Sequence, residues 1–235
     1  MARFHFVSAH FGGEVPWMPS LKSEKHEITV SYYHDENFPS RHLAMHPRLK
    51  AKIPKMLEWK FVDSDWYVWM DSSVKLKDID PVDKILDYLN NKPLCLFKHS
   101  YGDTIEFEAK RVIQSLKKKA PYIEQRYKGE PIKQQLIHYL GDPCFIDNSL
   151  FGMTFFVYHK SASSLMEKWF TENLAWTIED QISFPYVLQK SGLEYSLFDG
   201  FIDGENDIFH WDWKTREKSL RLGNNQNSSV KEINV

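Results

Sequence analysis

The order of apolar and polar positions along the 235 residues predicts strands that alternate with helices. Short apolar runs rich in aromatic and β-branched residues predict strands at 3–9, 27–33, 66–70, 93–98 and 150–158. Apolar residues at helical spacing predict helices at 47–59, 81–89, 105–119, 161–173 and 180–190. The polar stretch 117–139 is also predicted to be helical. This alternation predicts an α/β fold with a mostly parallel central sheet flanked by helices.

Local signals add detail to this pattern. Asp80 before Pro81 is a candidate N-cap, and Pro54 lies inside a predicted helix, where it favours a kink. Neither repeats nor a linker interrupt the chain. We therefore expect one domain at 1–222, followed by an Asn- and Ser-rich tail at 223–235 that is too polar to order itself.

Composition narrows the functional classes. A net charge of −2 argues against a dedicated nucleic-acid binder. There is no apolar run long enough for a membrane span, and the first residues lead directly into a strand pattern rather than a signal peptide. Cys95 and Cys144 lack Cys-x-x-Cys spacing, which favours buried thiols in a reducing compartment. We expect a soluble, cytoplasmic protein, and the sequence leaves its oligomeric state open.

The common catalytic and phosphate-binding motifs are absent: no Gly-x-Gly-x-x-Gly, no P-loop and no Gly-x-Ser-x-Gly occurs. His42 and His46 form only a weak zinc signal, because no acidic residue accompanies them. Asp71-Ser72-Ser73, directly after the strand at 66–70, is either a turn cap or a ligand site, since open α/β sheets bind ligands at the carboxyl ends of their strands.

Other polar residues stand at predicted strand ends and helix starts. Each could be a turn, a cap or a packed ring, but their joint occurrence favours a shared cleft. Lys52 and Lys55 are either a solvated helix face or ligands for phosphate. His10 and His99 follow predicted strands, Asp147 and Asn148 precede one, Asp180 and Gln181 open a helix, and His210 lies in an aromatic segment.

Five short motifs lie between residues 48 and 188. They are Lys52-x-Pro54-Lys55, Trp69-x-Asp71, His99, Glu106-x-Glu108-Ala109 and Asp180-Gln181-x-Ser183-Phe184. Together they resemble the GT-A-fold glycosyltransferases that use sugar nucleotides, in particular the hexosyltransferases of plants, bacteria and large algal viruses. The resemblance implies a single GT-A-type, Rossmann-like domain that transfers a sugar from a UDP-sugar donor to a glycan or another hydroxyl acceptor.

The chain also resembles the retaining glycogenin-like and lipopolysaccharide galactosyltransferases. Asp71-Ser72-Ser73 falls where that group has Asp-x-Asp, and His210 falls where it has a late metal-binding histidine. The resemblance implies Mn²⁺ or Mg²⁺ held by Asp71, Ser73 and His210. Because Ser73 replaces the second acid, the site has one carboxylate fewer and should bind metal more weakly.

The same resemblance implies roles for the remaining residues. Asp180 and Gln181 would be catalytic, with a retaining mechanism favoured. Trp17, Trp211 and Trp213 either stack on acceptor sugars, pack in the core or are simply exposed at the surface. The implied donor-binding residues are Ala9, His10, Lys52, Lys55, Asp71, Ser72, Ser73, His99, Asp147, Asn148 and Lys214.

Three other functions are compatible with the sequence. A nucleotide-sugar hydrolase or a nucleotidyltransferase would use a similar sheet, although nucleotidyltransferases usually carry a longer Gly-rich loop than Gly12-Gly13. A non-catalytic carbohydrate- or nucleotide-sugar-binding protein would tolerate the missing acid.

Overall fold

A computed structural model describes residues 1–12, 20–38 and 47–211. The strands are β1 Arg3–Ala9, β2 Glu27–Tyr33, β3 Trp66–Met70, β4 Val74–Leu76, β5 Leu94–Lys98, β6 Phe151–His159, β7 Ser196–Leu197 and β8 Phe209–Trp211. The α-helices are α1 Pro47–Leu57, α2 Val82–Leu89, α3 Ile105–Lys117, α4 Pro121–Tyr127, α5 Ile132–Leu140, α6 Ser163–Ala175 and α7 Asp180–Ser191. Short 3-10 helices occupy Glu58–Lys60 and Lys160–Ala162.

The main sheet has six strands in the order β2-β1-β3-β6-β5-β7. β1 is parallel to β2 and β3, β5 is parallel to β7, and β6 runs antiparallel to both β3 and β5. Five strands therefore point the same way. This confirms the predicted α/β fold with a mostly parallel sheet, whereas the reversed direction of β6 was not predicted. β4 and β8 form a separate antiparallel pair.

Both faces of the sheet are covered. Side chains alternate along each strand, so Val7 and Trp69 face the layer formed by α1, α6 and α7, while Phe6 and Val68 face the opposite cluster with α2. Helices α3, α4 and α5 enclose a third apolar cluster. The packing of α1 and α7 on one face brings their polar residues to the same region.

Two local predictions are wrong. Helix α2 begins at Val82 with Pro81 in the N-cap position and no side-chain cap, so Asp80 does not cap it. Cys95 is buried as expected, but Cys144 is exposed. It lies in a turn where its backbone N–H donates to the Asp142 carboxylate at 2.9 Å, and this turn holds the residue at the surface.

In the described ranges, no helix is long and apolar enough to cross a membrane. Several predictions fall on residues outside those ranges, namely the disordered tail 223–235, His42, His46, Gly13, Trp17, Trp213 and Lys214.

Candidate functional site

The loops that follow β1 and β3 meet at the carboxyl edge of the sheet. His10 Nδ1 and Ser72 Oγ are 2.9 Å apart and share a hydrogen bond. Burial lowers the pKa of His10, although the charge of Asp35 opposes this, so the imidazole is neutral at neutral pH. Ala9, just before His10, is buried. The two adjacent strand ends thus form one wall of polar atoms.

Asp71 is held in place by both its backbone and its side chain. Its backbone N–H donates to Thr154 O at 2.9 Å, and its carbonyl accepts from the Val74 N–H at 2.9 Å, which closes the turn into β4. Its Oδ1 accepts a hydrogen bond from Trp69 Nε1 at 2.9 Å. The turn is therefore capped by backbone atoms, and the carboxylate is fixed by Trp69 rather than by the start of a helix.

Lys52 and Lys55 are buried against Asp180. Their Nζ atoms lie 2.5 and 2.8 Å from Asp180 Oδ2, and Lys55 Nζ also donates to Met153 O at 2.7 Å. The solvated-face alternative for these lysines is therefore wrong, since Lys52 and Lys55 are only 7% and 5% exposed. Asp180, the first residue of α7, contacts both ammonium groups, and that of Lys55 also lies over three core aromatic rings.

Lys52, Lys55 and Asp180 form a buried triad of charges, and the pKa values of Asp180 and Lys52 are shifted within it. Burial by itself raises the pKa of Asp180, but Lys52 and Lys55 outweigh it, and the pKa is lowered overall. Burial lowers the pKa of Lys52 to about 8, even with Asp180 beside it. Asp180 Oδ1 is buried and has no hydrogen-bond partner among the described residues. The carboxylate is thus kept ionised, and one of its oxygens lacks a hydrogen-bond partner among the described residues.

Trp69 joins this triad to Asp71. Lys55 Nζ lies 5.3 Å from the centroid of the Trp69 ring, and the same ring donates its N–H to Asp71. A continuous path of contacts therefore runs from Asp180 through Lys55 and Trp69 to Asp71, whose neighbour Ser72 reaches His10. Six of the predicted site residues are connected in this way, and they lie after strands β1 and β3 and on helices α1 and α7: His10, Lys52, Lys55, Asp71, Ser72 and Asp180.

Asp147 binds the backbone at the start of helix α3. Its two carboxylate oxygens accept the backbone N–H groups of Ile105 at 2.7 Å and Glu106 at 3.0 Å, at the start of α3. A carboxylate at a helix N-terminus satisfies otherwise unpaired donors and complements the helix dipole. Asn148, the next residue, is exposed.

Two further predicted residues are His99, which follows strand β5, and Gln181, which follows Asp180 on helix α7. The His99 backbone N–H donates to Leu150 O at 3.0 Å at the end of β5, and its ring Nδ1 accepts from the Tyr101 N–H at 3.2 Å. Burial lowers the pKa of His99, so its ring is neutral at neutral pH. Gln181, the second residue of α7, is half-buried.

Two arginines near Asp71 were not predicted as site residues. The guanidinium carbon of Arg48 lies 5.7 Å from the centroid of the Tyr122 ring, and that of Arg126 lies 4.7 Å from the same centroid. Burial and the charge of Arg126 lower the pKa of Arg48, while Asp71 acts in the opposite direction. A signal was present in the sequence, because Arg48, Lys52 and Lys55 have the spacing of one helix face.

The residues expected to hold a divalent metal do not form a matching site in the described part of the chain. His210 is exposed and stands opposite Lys75 in the β4–β8 pair, where a neighbouring ammonium disfavours a second cation. One carboxylate oxygen of Asp71 already accepts a hydrogen bond from Trp69, and the Ser73 side chain is neutral. Nowhere in the described ranges do three His, Cys, Asp or Glu side chains gather in a way that could hold an ion. These residues do not fit a metal site.

Trp211, considered above as an acceptor platform, packs against the apolar cluster that contains Val74 and Phe209. Its placement agrees with the core-packing alternative.

Solved structures similar to this chain include three with low sequence identity. A glycosyltransferase involved in the glycosylation of the major capsid of PBCV-1 is 13% identical with a TM-score of 0.37, covering 72% of this chain and 66% of its own. This chain thus spans just under two thirds of that protein. Mouse xyloside xylosyltransferase 1 is 11% identical with a TM-score of 0.43, covering 82% of this chain and 83% of its own. A197 from STIV is 10% identical with a TM-score of 0.38, covering 88% and 83%.

Among curated proteins, none matches the sequence. The profile of one family matches residues 40–204, a range that contains Lys52, Lys55, Asp71 and Asp180. Because this range is more than half of the chain, the protein belongs to the TOD1/MUCI70 glycosyltransferase-like domain family.

Proposed function

We propose that this protein transfers a sugar from a nucleoside-diphosphate donor, a UDP-sugar, to a hydroxyl group of a glycan or another acceptor. Membership of a glycosyltransferase-like family supports sugar transfer. The observation that carries the proposal is the contact path from Asp180 through Lys55 and Trp69 to Asp71. It places a buried carboxylate and several cations beside the strand ends where α/β sheets bind ligands.

The charges at this site suit the bond that breaks. When the bond between the anomeric carbon and the diphosphate opens, the sugar becomes cationic and the diphosphate gains negative charge. Fixed cations stabilise the departing group, and a fixed carboxylate stabilises the cationic carbon. We assign the second role to Asp180, which two lysines keep ionised and whose Oδ1 has no partner among the described residues.

Neighbouring residues receive the remaining roles. Ala9 and His10 border the nucleoside at the end of β1, and Gln181 lies beside Asp180 at the reacting carbon, consistent with a retaining reaction. Asn148 contacts sugar hydroxyls from its exposed position, whereas Asp147 stays with the start of α3.

A divalent ion receives no step in this proposal. The reason is that the described residues hold no group of three His, Cys, Asp or Glu side chains that could bind an ion. Mn²⁺ or Mg²⁺ at Asp71, Ser73 and His210 stays a prediction from the resemblance.

The test is a donor panel. The protein is incubated with UDP-, GDP- and other nucleotide sugars and a mixture of oligosaccharide acceptors, and the products are read by mass spectrometry. We expect a UDP-sugar to be consumed and an acceptor to gain one sugar, with loss of this activity in Asp180→Asn. Glu194→Gln is the matched control, because Glu194 is an exposed carboxylate paired with Lys92 at 3.0 Å.

The other outcomes identify the competing functions. Release of free sugar without acceptor gain indicates a nucleotide-sugar hydrolase. Binding of nucleotide sugars without any consumption indicates a non-catalytic binding protein. Either result would overturn the transferase assignment.

A further inference from the structure

We propose that Arg48 and Arg126 together bind the diphosphate of the donor, as a pair of guanidinium groups held against the Tyr122 ring. This assignment rests on the proposed function and deepens it. It also separates two sets of cations: the arginines hold the diphosphate, while Lys52 and Lys55 hold Asp180.

The lysines are already committed to another partner. Both ammonium groups lie within 2.8 Å of Asp180 Oδ2, and Lys55 also donates to a backbone carbonyl and lies over three aromatic rings. A diphosphate that took these donors would leave Asp180 buried without its counter-charges. The cost of an unpaired buried carboxylate makes that exchange unfavourable.

Arg126, in contrast, has a guanidinium N–H donor that no described residue accepts. Its guanidinium donates to the Tyr122 hydroxyl and lies 5.3 Å from the centroid of the Tyr127 ring. Its Nε is buried and has no hydrogen-bond partner in the part of the chain that the structure describes. Glu179 and Asp71 influence it through their charge rather than through a hydrogen bond. A buried N–H donor without a partner is costly, and an anionic ligand would satisfy it.

The two guanidinium groups lie close enough to influence each other. Burial, and after it the charge of Arg126, lowers the pKa of Arg48. The Tyr122 ring holds both groups through cation–π contacts, so the pair is arranged before a ligand arrives. Guanidinium groups match phosphate oxygens in a two-pronged geometry, which a diphosphate with two adjacent phosphates can use fully.

The position of the pair agrees with the rest of the site. Arg48 lies one helical turn before Lys52 on α1, and Arg126 lies on α4. The charge of Asp71 acts on both arginines. The charge of Glu179, the residue before Asp180, also acts on Arg126, so a diphosphate bound here would be near both Asp71 and the start of α7.

The experiment compares the affinities of uridine, UMP and UDP by isothermal titration calorimetry. The variants are Arg48→Gln and Arg126→Gln, with Arg48→Lys and Arg126→Lys to keep the charge if a glutamine variant does not fold. The matched control is Arg3→Gln. Arg3 forms two ion pairs of 3.0 Å, with Asp63 and Asp65, at the amino end of β1, the opposite edge of the sheet.

We expect wild-type protein to prefer UDP strongly over uridine. In each glutamine variant UDP affinity should fall by about 10- to 100-fold, the range for losing hydrogen bonds to a charged group, while uridine affinity stays unchanged. The lysine variants should lose less, and Arg3→Gln should behave as wild type. A merely structural role for the arginines would weaken uridine and UDP alike.

Two failures are distinguishable. If wild-type protein binds none of the three ligands, the proposed function fails. If wild-type protein binds UDP tightly but both glutamine variants keep the same preference for UDP over uridine, the arginine assignment alone is overturned.

Discussion

Replacing Asp180 with asparagine tests the buried triad that the site depends on. The substitution keeps the size of the side chain but removes the carboxylate that contacts both Lys52 and Lys55. Two ammonium groups, 7% and 5% exposed, would then lose their shared ion-pair partner, while Glu179 acts on Lys52 only through its charge. Removing one partner of a buried ion pair costs about 3–5 kcal/mol. For a chain of this length that loss corresponds to about 6–20 °C in Tm.

The assay is urea unfolding followed by tryptophan fluorescence, with Glu106→Gln as the control. The Glu106–Lys110 pair has similar length but exposed side chains, so its loss should cost only about 0.3–0.5 kcal/mol. Adding Lys52→Met to Asp180→Asn should recover at least about 0.5 kcal/mol, because a single buried ammonium then remains. An Asp180→Asn protein as stable as Glu106→Gln would refute the argument that this triad is buried and interdependent.

Three further predictions concern titration, metal and helix capping. Because the pKa of Lys52 is lowered to about 8 in the folded state, we expect turnover to fall as pH rises through about 8, and Lys52→Arg to move this fall to higher pH. Lys52 also makes the free energy of unfolding rise between about pH 8 and pH 10.5, the ordinary pKa of lysine, since the unfolded chain then binds more protons. EDTA should leave the UDP affinity measured by calorimetry within about threefold, because arginines supply the cations, and strict dependence on Mn²⁺ would instead support ligation by Asp71. Asp147→Ala should lower the free energy of unfolding by about 1–2 kcal/mol in urea titrations, whereas an unchanged value would show that Thr104 alone caps α3.

The sequence predicted the strands of the central sheet because their patterns are local. The run Trp66–Met70 ends directly at Asp71, and this run is β3 in the structure. The direction of β6 could not be predicted, because an apolar strand has the same pattern whichever way it runs. The pairs β4–β8 and β5–β7 were missed because two- and three-residue strands carry no measurable periodicity.

The site was harder to predict where it depends on distant contacts. Lysines on a helix are usually solvated, and only the packing of α1 near α7 shows that Lys52 and Lys55 are buried against Asp180. Arg126 joins Arg48 from 78 residues away in the numbering. Asp147 reaches the start of α3 across 42 residues. None of these contacts leaves a local pattern, so residue type and spacing could suggest candidates without assigning their partners.

The central claim, that a sugar nucleotide binds at the carboxyl ends of β1 and β3, is tested most directly by amide hydrogen exchange with saturating UDP-sugar. We expect slower exchange in peptides covering residues 5–12 and 66–76, with no change at the opposite edge around Asp63. No protection anywhere, or protection confined to that opposite edge, would contradict binding at these strand ends.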